Sequence, residues 1–451
     1  MFVKKLIALL MSVAMLLSMV TIASAEGSTA EVTLPDKVLE NKVITVYAID
    51  PTWLEDNRSR TGIPGVIELM EQEYGAEFKV VDFGGDWGKQ YEVLSSLYMS
   101  DQMPDLLMNA NFPTDLANGF VQPLDDLIDF SNPMWDDVRD IIDFIKWNGK
   151  TYFTVNWPFA YPDWFYFNPQ IFEANGLETP AELYAKGEWD WNKVLELAQE
   201  LTQDLDGDGQ IDQWGLGIAT GACALHMQTG VSLIEVQEDG SLKLNLRHPK
   251  IETAANLYRE LGPAGYNVLL KDSGEISQEY ITQQFAAGNI AMYMSGWWRS
   301  TLPELAPNWL NGKMAVTHLP KWPGEEAAYR GGQIGSMGVG AKCQNPEGAA
   351  LFLEVLKYTT TEAYQKKYNP GGDGYEEWRE VYGLNEEQIA TIRELDNYDG
   401  PQVPNLFWIF WGWDDGFDSA LTTPWSQVVE RLEPIAQSSI DSWMEKLSQI
   451  E

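Results

Sequence analysis

Residues 285–298 read FAAGNIAMYMSGWW, and the fold turns on this stretch. A helix closes at Phe285-Ala286-Ala287, Gly288-Asn289 makes a tight turn, and a short apolar strand runs into the small-residue corner Ser295-Gly296. That corner hands the chain to Trp297 and Trp298. Large, flat, rigid aromatic faces at the C-terminal end of a strand sit where α/β folds bind ligands, so the corner reads as a platform for a ring. The same residues also read as a buried helix and strand whose tryptophans belong to the core, because Trp is highly buried on average. The rest of the chain has to decide.

Before this stretch, Val43–Ile49 (VITVYAI) is a first strand, followed by a polar loop with Asp50 and Trp53, a helix through Ile67, Leu69 and Met70, and a second strand at Phe78–Val81. Strand, helix and strand at this spacing form a βαβ unit of a parallel sheet. Tyr91–Met99 is helical, and Met103–Met108 turns into a third strand ending at Asn109 and Asn111. An amide in a loop just after a strand offers both donor and acceptor to a ligand, or simply caps the turn. Trp157, Phe159, Tyr161 and Trp164 follow in one aromatic-rich run. Trp189 and Trp191 precede apolar positions Val194, Leu197, Ala198 and Leu201 at helical spacing, and pack that helix. After the opening stretch come a strand over Lys313–Pro320, a return strand from Gly331 through Gln333 to Gly340, and a helix entered through Asn345, Pro346 and Glu347. The segment FWIFWGWDDGFD sets Trp408, Trp411 and Trp413 beside Asp414, Asp415 and Asp418: either half of a sugar site or a plug for the cleft.

Lys4 and Lys5, an apolar run from Leu6 to Ile22 and the Ala23-Ser24-Ala25 exit form a secretory signal peptide over residues 1–25. No cysteine follows it, so the expectation is an exported periplasmic, secreted or cell-surface protein without lipid attachment. Cys223 and Cys343 lack metal or redox spacing, and they fit either one disulfide or two buried thiols. Without the two leader lysines the chain carries 28 basic against 67 acidic residues, a net charge of −39. This excludes a nucleic-acid binder, keeps an exported protein soluble and disfavours anionic ligands at long range. The remaining length exceeds one ordinary hydrophobic core, so two lobes are expected.

Asp204-Leu-Asp206-Gly-Asp208-Gly-Gln210-Ile-Asp212 places carboxylates at positions 1, 3, 5 and 9 with Gly209 at position 6, as in the first part of an EF-hand loop. Gly215 stands where the bidentate Glu is usual. A structural Ca²⁺ held by Asp204, Asp206, Asp208, Gln210 and Asp212 is the expectation, since these acids repel without a cation; the plain alternative is a solvated acidic turn.

Several segments in order resemble extracellular solute-binding proteins of the sugar-type ABC importer class, the maltose-binding-protein-like family. Phe285, Gly288, Ala291, Met292, Gly296 and Trp298 match its Phe-x-x-Gly-x-x-Ala-Met-x-x-x-Gly-x-Trp pattern. Pro104-Asp105 before the third strand, Asn168 with Phe172, the run from Gly176 to Thr202, and Asn345-Pro346-Glu347 with Phe352-Leu353 match further segments; Phe167 stands where Tyr is usual. The resemblance covers roughly Val43 to Tyr364. It implies an α/β, two-lobe periplasmic-binding-protein-like fold of type II with a multi-crossing hinge: residues 40–150 plus 298–345 in an N-terminal lobe, and 151–297 plus 346–451 in a C-terminal lobe. It implies no enzyme, a monomer, and capture of a carbohydrate, an oligosaccharide by expectation, for delivery to ABC permease subunits. By position in the pattern, Trp298 leads the ligand-binding candidates, followed by Trp297, Trp157, Asn111, Trp53, Asp50 and Arg299, then Tyr161, Trp164, Gln333 and Trp408. A secreted glycoside hydrolase and a binding protein of this fold for a non-sugar solute are the competing readings.

Overall fold

The computed structural model describes residues 32–156, 163–219, 225–237, 240–261, 277–398, 400–405 and 419–450. The leader therefore lies outside the described residues, as do Trp157, Tyr161, Cys223 and Trp408. Strand β1 (Val43–Ala48), helix α1 (Val66–Tyr74), strand β2 (Glu77–Asp82), helix α2 (Gln90–Met99) and the short β3 (Leu106–Leu107) build the first lobe. β1 lies parallel to both β2 and β3, as a βαβ alternation requires. Ile44, Val46 and Ala48 are fully buried, because helices cover the sheet.

The second lobe is built on β4 (Asp163–Phe167), helix α3 (Trp191–Leu201), β5 (Trp214–Ile218), the hairpin of β6 (Ile234–Val236) and β7 (Leu242–Leu244), helices α4 (Pro249–Leu261) and α5 (Gln278–Ala287), β8 (Ile290–Gly296) and β9 (Ala315–Thr317). The sheet order is β5-β8-β4-β9, so β8 and β4 are central and every residue of β8 is buried. Register pairs sort the two faces. Phe167 opposite Met292 and Phe165 opposite Met294 join the large core, whereas Tyr166 opposite Tyr293 and Trp164 opposite Ser295 point to a second apolar layer with Ile281, Phe285 and Trp309. Trp189 and Trp191 are buried against that large core, as their helical context implied.

The chain then returns. β10 (Arg330–Gln333) pairs in parallel with β12 (Gln402–Asn405), while β11 (Gly338–Val339) adds antiparallel to β3 of the first sheet. Helix α6 (Pro346–Tyr358) packs on α1, β1 and β3, and α7 (Glu386–Asp396) packs on β9. The long α8 (Trp425–Leu447) touches both lobes. The lobe boundaries read from the sequence shift accordingly. Residues 298–320 stay with the second lobe, because β9 hydrogen-bonds to β4, and residues 346–358 belong to the first, because α6 covers its sheet. The expected single return strand is two strands serving different sheets.

Asn345 pins α6 in place. Its Oδ1 accepts from the Gly348 N–H at 2.9 Å, its Nδ2 donates to the carbonyls of Asn41 and Val43, and its own N–H donates to Asp105. The helix cap read from the sequence thus also fastens β1 to α6. Cys343 is a free thiol, pushed up to about 12 by burial.

Candidate functional site at the sheet ends

The C-terminal ends of β8 and β9, the start of β4 and the start of β10 meet at one end of the second sheet, since β4 runs antiparallel to both β8 and β9. There the chain leaves β8 at Gly296 and winds one 3-10 turn, Trp297–Thr301. Gly296 is needed for space: a Cβ on it would come within 2.7 Å of Trp298 Nε1. Trp298 keeps 38% of its surface exposed although it is a large apolar side chain. The Arg299 guanidinium supports it at 4.4 Å from the ring centroid, and is itself fixed by donating to Thr282 Oγ1 at 3.0 Å and Gln278 Oε1 at 2.9 Å. A cation holding the ring in place beside open solvent makes a rigid stacking surface.

Trp297 is half-buried against the second apolar layer, within ring contact of Trp164. Trp164 itself is 1% exposed and wedged between Trp297, Tyr166 and Trp378. As a ligand-facing candidate Trp164 is therefore corrected to a core residue behind the corner, because β4 turns that side chain into the layer under the sheet. Its indole N–H has no hydrogen-bond partner among the described residues.

At the start of β4 lies a small recess of about 10 Å³, the size of a single water site, lined by Asp163, His318, Leu319, Ala328, Tyr329, Arg330, Leu395 and Tyr398. Asp163 starts β4 and pairs in register with Gly296, so the recess adjoins the Trp297–Trp298 turn. Desolvation pushes the Asp163 carboxyl up to about 7, against the opposing pull of Arg330. The Arg330 Nη1 donates to the Leu395 carbonyl at 2.5 Å and its guanidinium lies 5.5 Å from the Tyr398 ring centroid. Tyr398 donates its hydroxyl to the Ala328 carbonyl. His318 stacks on Tyr184 at 4.1 Å, and burial holds its pKa down at about 4, so the imidazole is neutral at pH 7. None of Asp163, His318, Arg330 and Tyr398 stood out in the sequence as a candidate. They come from four distant segments, none of which carries a local pattern.

At the C-terminal end of the first sheet, Asp50 accepts from the Thr52 N–H at 2.8 Å and from the Thr52 hydroxyl, a turn-forming role. Trp53 packs on Phe352, with ring centroids 6.3 Å apart. Asn111 Nδ2 donates to Tyr91 Oη and to the Asn109 carbonyl, and its N–H donates to Asp115 at 2.7 Å. Asp115 is 1% exposed, with burial lifting its carboxyl to about 7 and one oxygen left without a partner among the described residues. Gln333 contributes its backbone to β10.

The acidic loop sits apart from both sheet ends. The carboxylates of Asp204, Asp206 and Asp208 lie within 4.8 Å of one another and are exposed. Backbone N–H groups turn inward onto them: Gly207 and Gly209 donate to Asp204, Asp208 to Asp206, and Gln210 to Asp208, while Leu205 donates to Asp212. The clustered oxygens are the hard donor set a divalent cation of the calcium type takes.

The chain is similar to the galacto-N-biose-/lacto-N-biose I-binding protein of an ABC transporter from Bifidobacterium longum, in complex with lacto-N-biose: 14% identity, TM-score 0.64, covering 89% of this chain and 97% of that one. It is similar to an ABC substrate-binding protein from Listeria monocytogenes in complex with cycloalternan, at 16% identity and TM-score 0.59, covering 92% of this chain and 100% of that one. UgpB from Mycobacterium tuberculosis, in complex with glycerophosphocholine, is similar at 19% identity and TM-score 0.60, covering 89% and 100%. These likenesses show the two-lobe periplasmic-binding-protein fold expected from the sequence. No curated protein matches the chain in sequence. The profile of one family matches residues 60–366, more than half of the chain, and the protein belongs to that family, the bacterial extracellular solute-binding proteins.

Proposed function

We propose that the protein captures a carbohydrate, an oligosaccharide by its aromatic endowment, outside the cytoplasm and delivers it to an ABC import permease without chemical change. The observation that carries this reading is Trp298: exposed, supported by Arg299, and set at the end of the sheet. Sugar rings have apolar faces and hydroxyl edges, so an indole stacks on the face while side-chain carboxylates and amides bind the edge. Hinge closure of the lobes then shields those hydrogen bonds from water, and the closed form is what a permease recognises. Residues 1–25 serve export as a signal peptide in this reading.

Calorimetric and thermal-shift titration against mono- and oligosaccharides, with lacto-N-biose, cycloalternan and maltotriose among them, tests the reading. Saturable stabilisation by one sugar class is the expected result. Silence across the sugars with a response to glycerophosphocholine, the molecule in the UgpB complex, would transfer the protein to the non-sugar reading. Turnover of a glycan panel would establish the hydrolase alternative instead.

For the acidic loop we propose a structural Ca²⁺ held by Asp204, Asp206, Asp208, Asp212 and Gln210, which neutralises exposed carboxylates and fixes the connection between α3 and β5. Chelator is expected to lower the melting temperature and added Ca²⁺ to restore it. An unchanged melting curve would remove calcium from the account.

A further inference from the structure

We propose that Arg60 of the first lobe and Tyr382 of the second form a latch between the lobes, which raises ligand affinity by holding the closed arrangement rather than by gripping the ligand. The inference rests on the lobe closure of the capture reading and not on the ligand's being a sugar.

The first-lobe half is held stiffly. Arg58 donates to the Glu71 carboxylate of α1 through two hydrogen bonds, at 2.9 and 2.7 Å, and Glu68 of α1 accepts from the N–H groups of Ser59 and Gly65. A bidentate pair of this kind fixes orientation as well as position. The loop over residues 58–65 is thereby fastened to α1. Arg60 reaches across from it: its Nη1 donates to the Tyr382 hydroxyl at 3.0 Å and lies 3.8 Å from the Glu377 carboxylate.

The second-lobe half is built into the end of the sheet. Tyr382 is 7% exposed and follows the short helix Glu376–Glu380. Its ring packs on Trp378 with centroids 5.4 Å apart, Trp378 on Trp164 at 6.1 Å, and Trp164 on Trp297 at 6.4 Å. Its hydroxyl also meets the side chain of Thr301, whose own hydroxyl donates to the Trp298 carbonyl at 2.8 Å. One route of rings and one of hydrogen bonds thus run from the Arg60 contact to the Trp297–Thr301 turn, and the buried Trp164 is the middle of the first. Close-packed rings transmit a displacement instead of absorbing it. Glu377 and Tyr382 lie beyond residue 366, outside the segment matched to the family.

Magnitudes single out the hydrogen bond. The Arg60 and Glu377 side chains are 46% and 49% exposed, so an ion pair at 3.8 Å contributes little. The Tyr382 hydroxyl belongs to a buried ring and accepts from a charged donor, the stronger class of contact. Its two partners sit on different lobes, and a rotation that opens the cleft parts them. A contact made only in the closed form multiplies the closed population by its own equilibrium factor, and raises the apparent affinity by up to that factor.

The deciding experiment is calorimetric titration of wild type, Arg60→Met, Tyr382→Phe and the double variant, using whichever of lacto-N-biose, cycloalternan and maltotriose binds wild type most tightly, with stopped-flow tryptophan fluorescence for the rates. Arg60 is exposed and Phe keeps the Tyr382 ring, so both variants fold, which melting curves verify. Each single variant is expected to bind roughly three- to tenfold more weakly, through faster release at an unchanged association rate, and the double variant no more weakly than the weaker single one. Glu377→Gln is expected to change affinity by less than about threefold. Wild-type affinity in Arg60→Met, a loss confined to association, or single effects that multiply in the double variant would overturn the latch and leave the capture reading standing. If no sugar binds wild type, the capture reading falls and small-angle scattering decides the latch: a larger radius of gyration for Arg60→Met than for wild type upholds it, and identical curves overturn it.

Discussion

Replacing Arg299 by Met tests whether the tryptophan corner is preorganised or merely exposed. Met keeps the apolar stem and removes the guanidinium, which is 6% exposed and holds two hydrogen bonds plus the Trp298 ring. Hydrogen bonds from a charged donor contribute roughly 1.5–3 kcal/mol each, but the acceptors here recover part of that. Thr282 Oγ1 keeps the Tyr293 hydroxyl at 2.9 Å, and Gln278, exposed at the start of α5, rehydrates. Including a cation–π contribution of about 0.5–1 kcal/mol, the expected loss of folding stability is about 2 kcal/mol. In binding, a released indole must be re-ordered, which costs about 0.5–1.5 kcal/mol, or roughly a two- to tenfold weaker sugar affinity. Urea unfolding and calorimetry measure the two effects, and a double-mutant cycle with Trp298→Ala isolates the coupling. Additive single effects, or a sugar affinity equal to wild type, would refute the support role of Arg299.

Two further changes probe the same end of the fold and its counterpart. Gly296→Ala places a methyl against Trp298 at a backbone φ of −57° that alanine tolerates, so binding should weaken severalfold while stability changes by less than about 1 kcal/mol; an unaltered affinity would show that the ring yields freely. Asp115→Asn addresses pH. The folded protein keeps this carboxyl protonated up to about 7, whereas an unfolded chain releases the proton near 4. Between those values the unfolded state binds fewer protons, so wild-type stability falls as pH rises through the window. Urea midpoints should therefore move in favour of Asp115→Asn between pH 5 and pH 8, and an equal difference at both pH values would contradict the buried, protonated assignment.

Local patterns carried the architecture. VITVYAI became β1, the run ending at Gly296 became the fully buried β8, and Asn345 was recognisable as a cap before its additional bonds to residues 41 and 43 were visible. Each depends on residues near in sequence, where periodicity and turn chemistry act. The corner at Trp297 and Trp298 was legible for the same reason. The recess was not: Asp163, His318, Arg330 and Tyr398 are brought together only by the pairing of β4 with β9 and the packing of α7, and nothing in their neighbourhoods distinguishes them from other surface charges. Trp164 failed in the opposite sense. Its aromatic neighbourhood suggested the cleft, while the alternation of β4 sends it inward.

The segment shared with the family ends at residue 366, yet the chain beyond it is not an appendage. Near its start, α8 is held to the second lobe by Trp425 donating to the Leu246 carbonyl and by Glu433 paired with Arg247. At its far end Trp147 and Asn148 of the first lobe donate to the carbonyls of Leu447 and Ile450. Between these anchors lies Pro434, which cannot donate the backbone hydrogen bond expected of that position. Any rotation of one lobe against the other must therefore load this helix, and its weakest backbone link sits between the two anchors. A shortened version cut at the family boundary would lose the brace along with the α7 cover of the second sheet. A reporter sensitive to strain placed at Pro434 would register any such rotation.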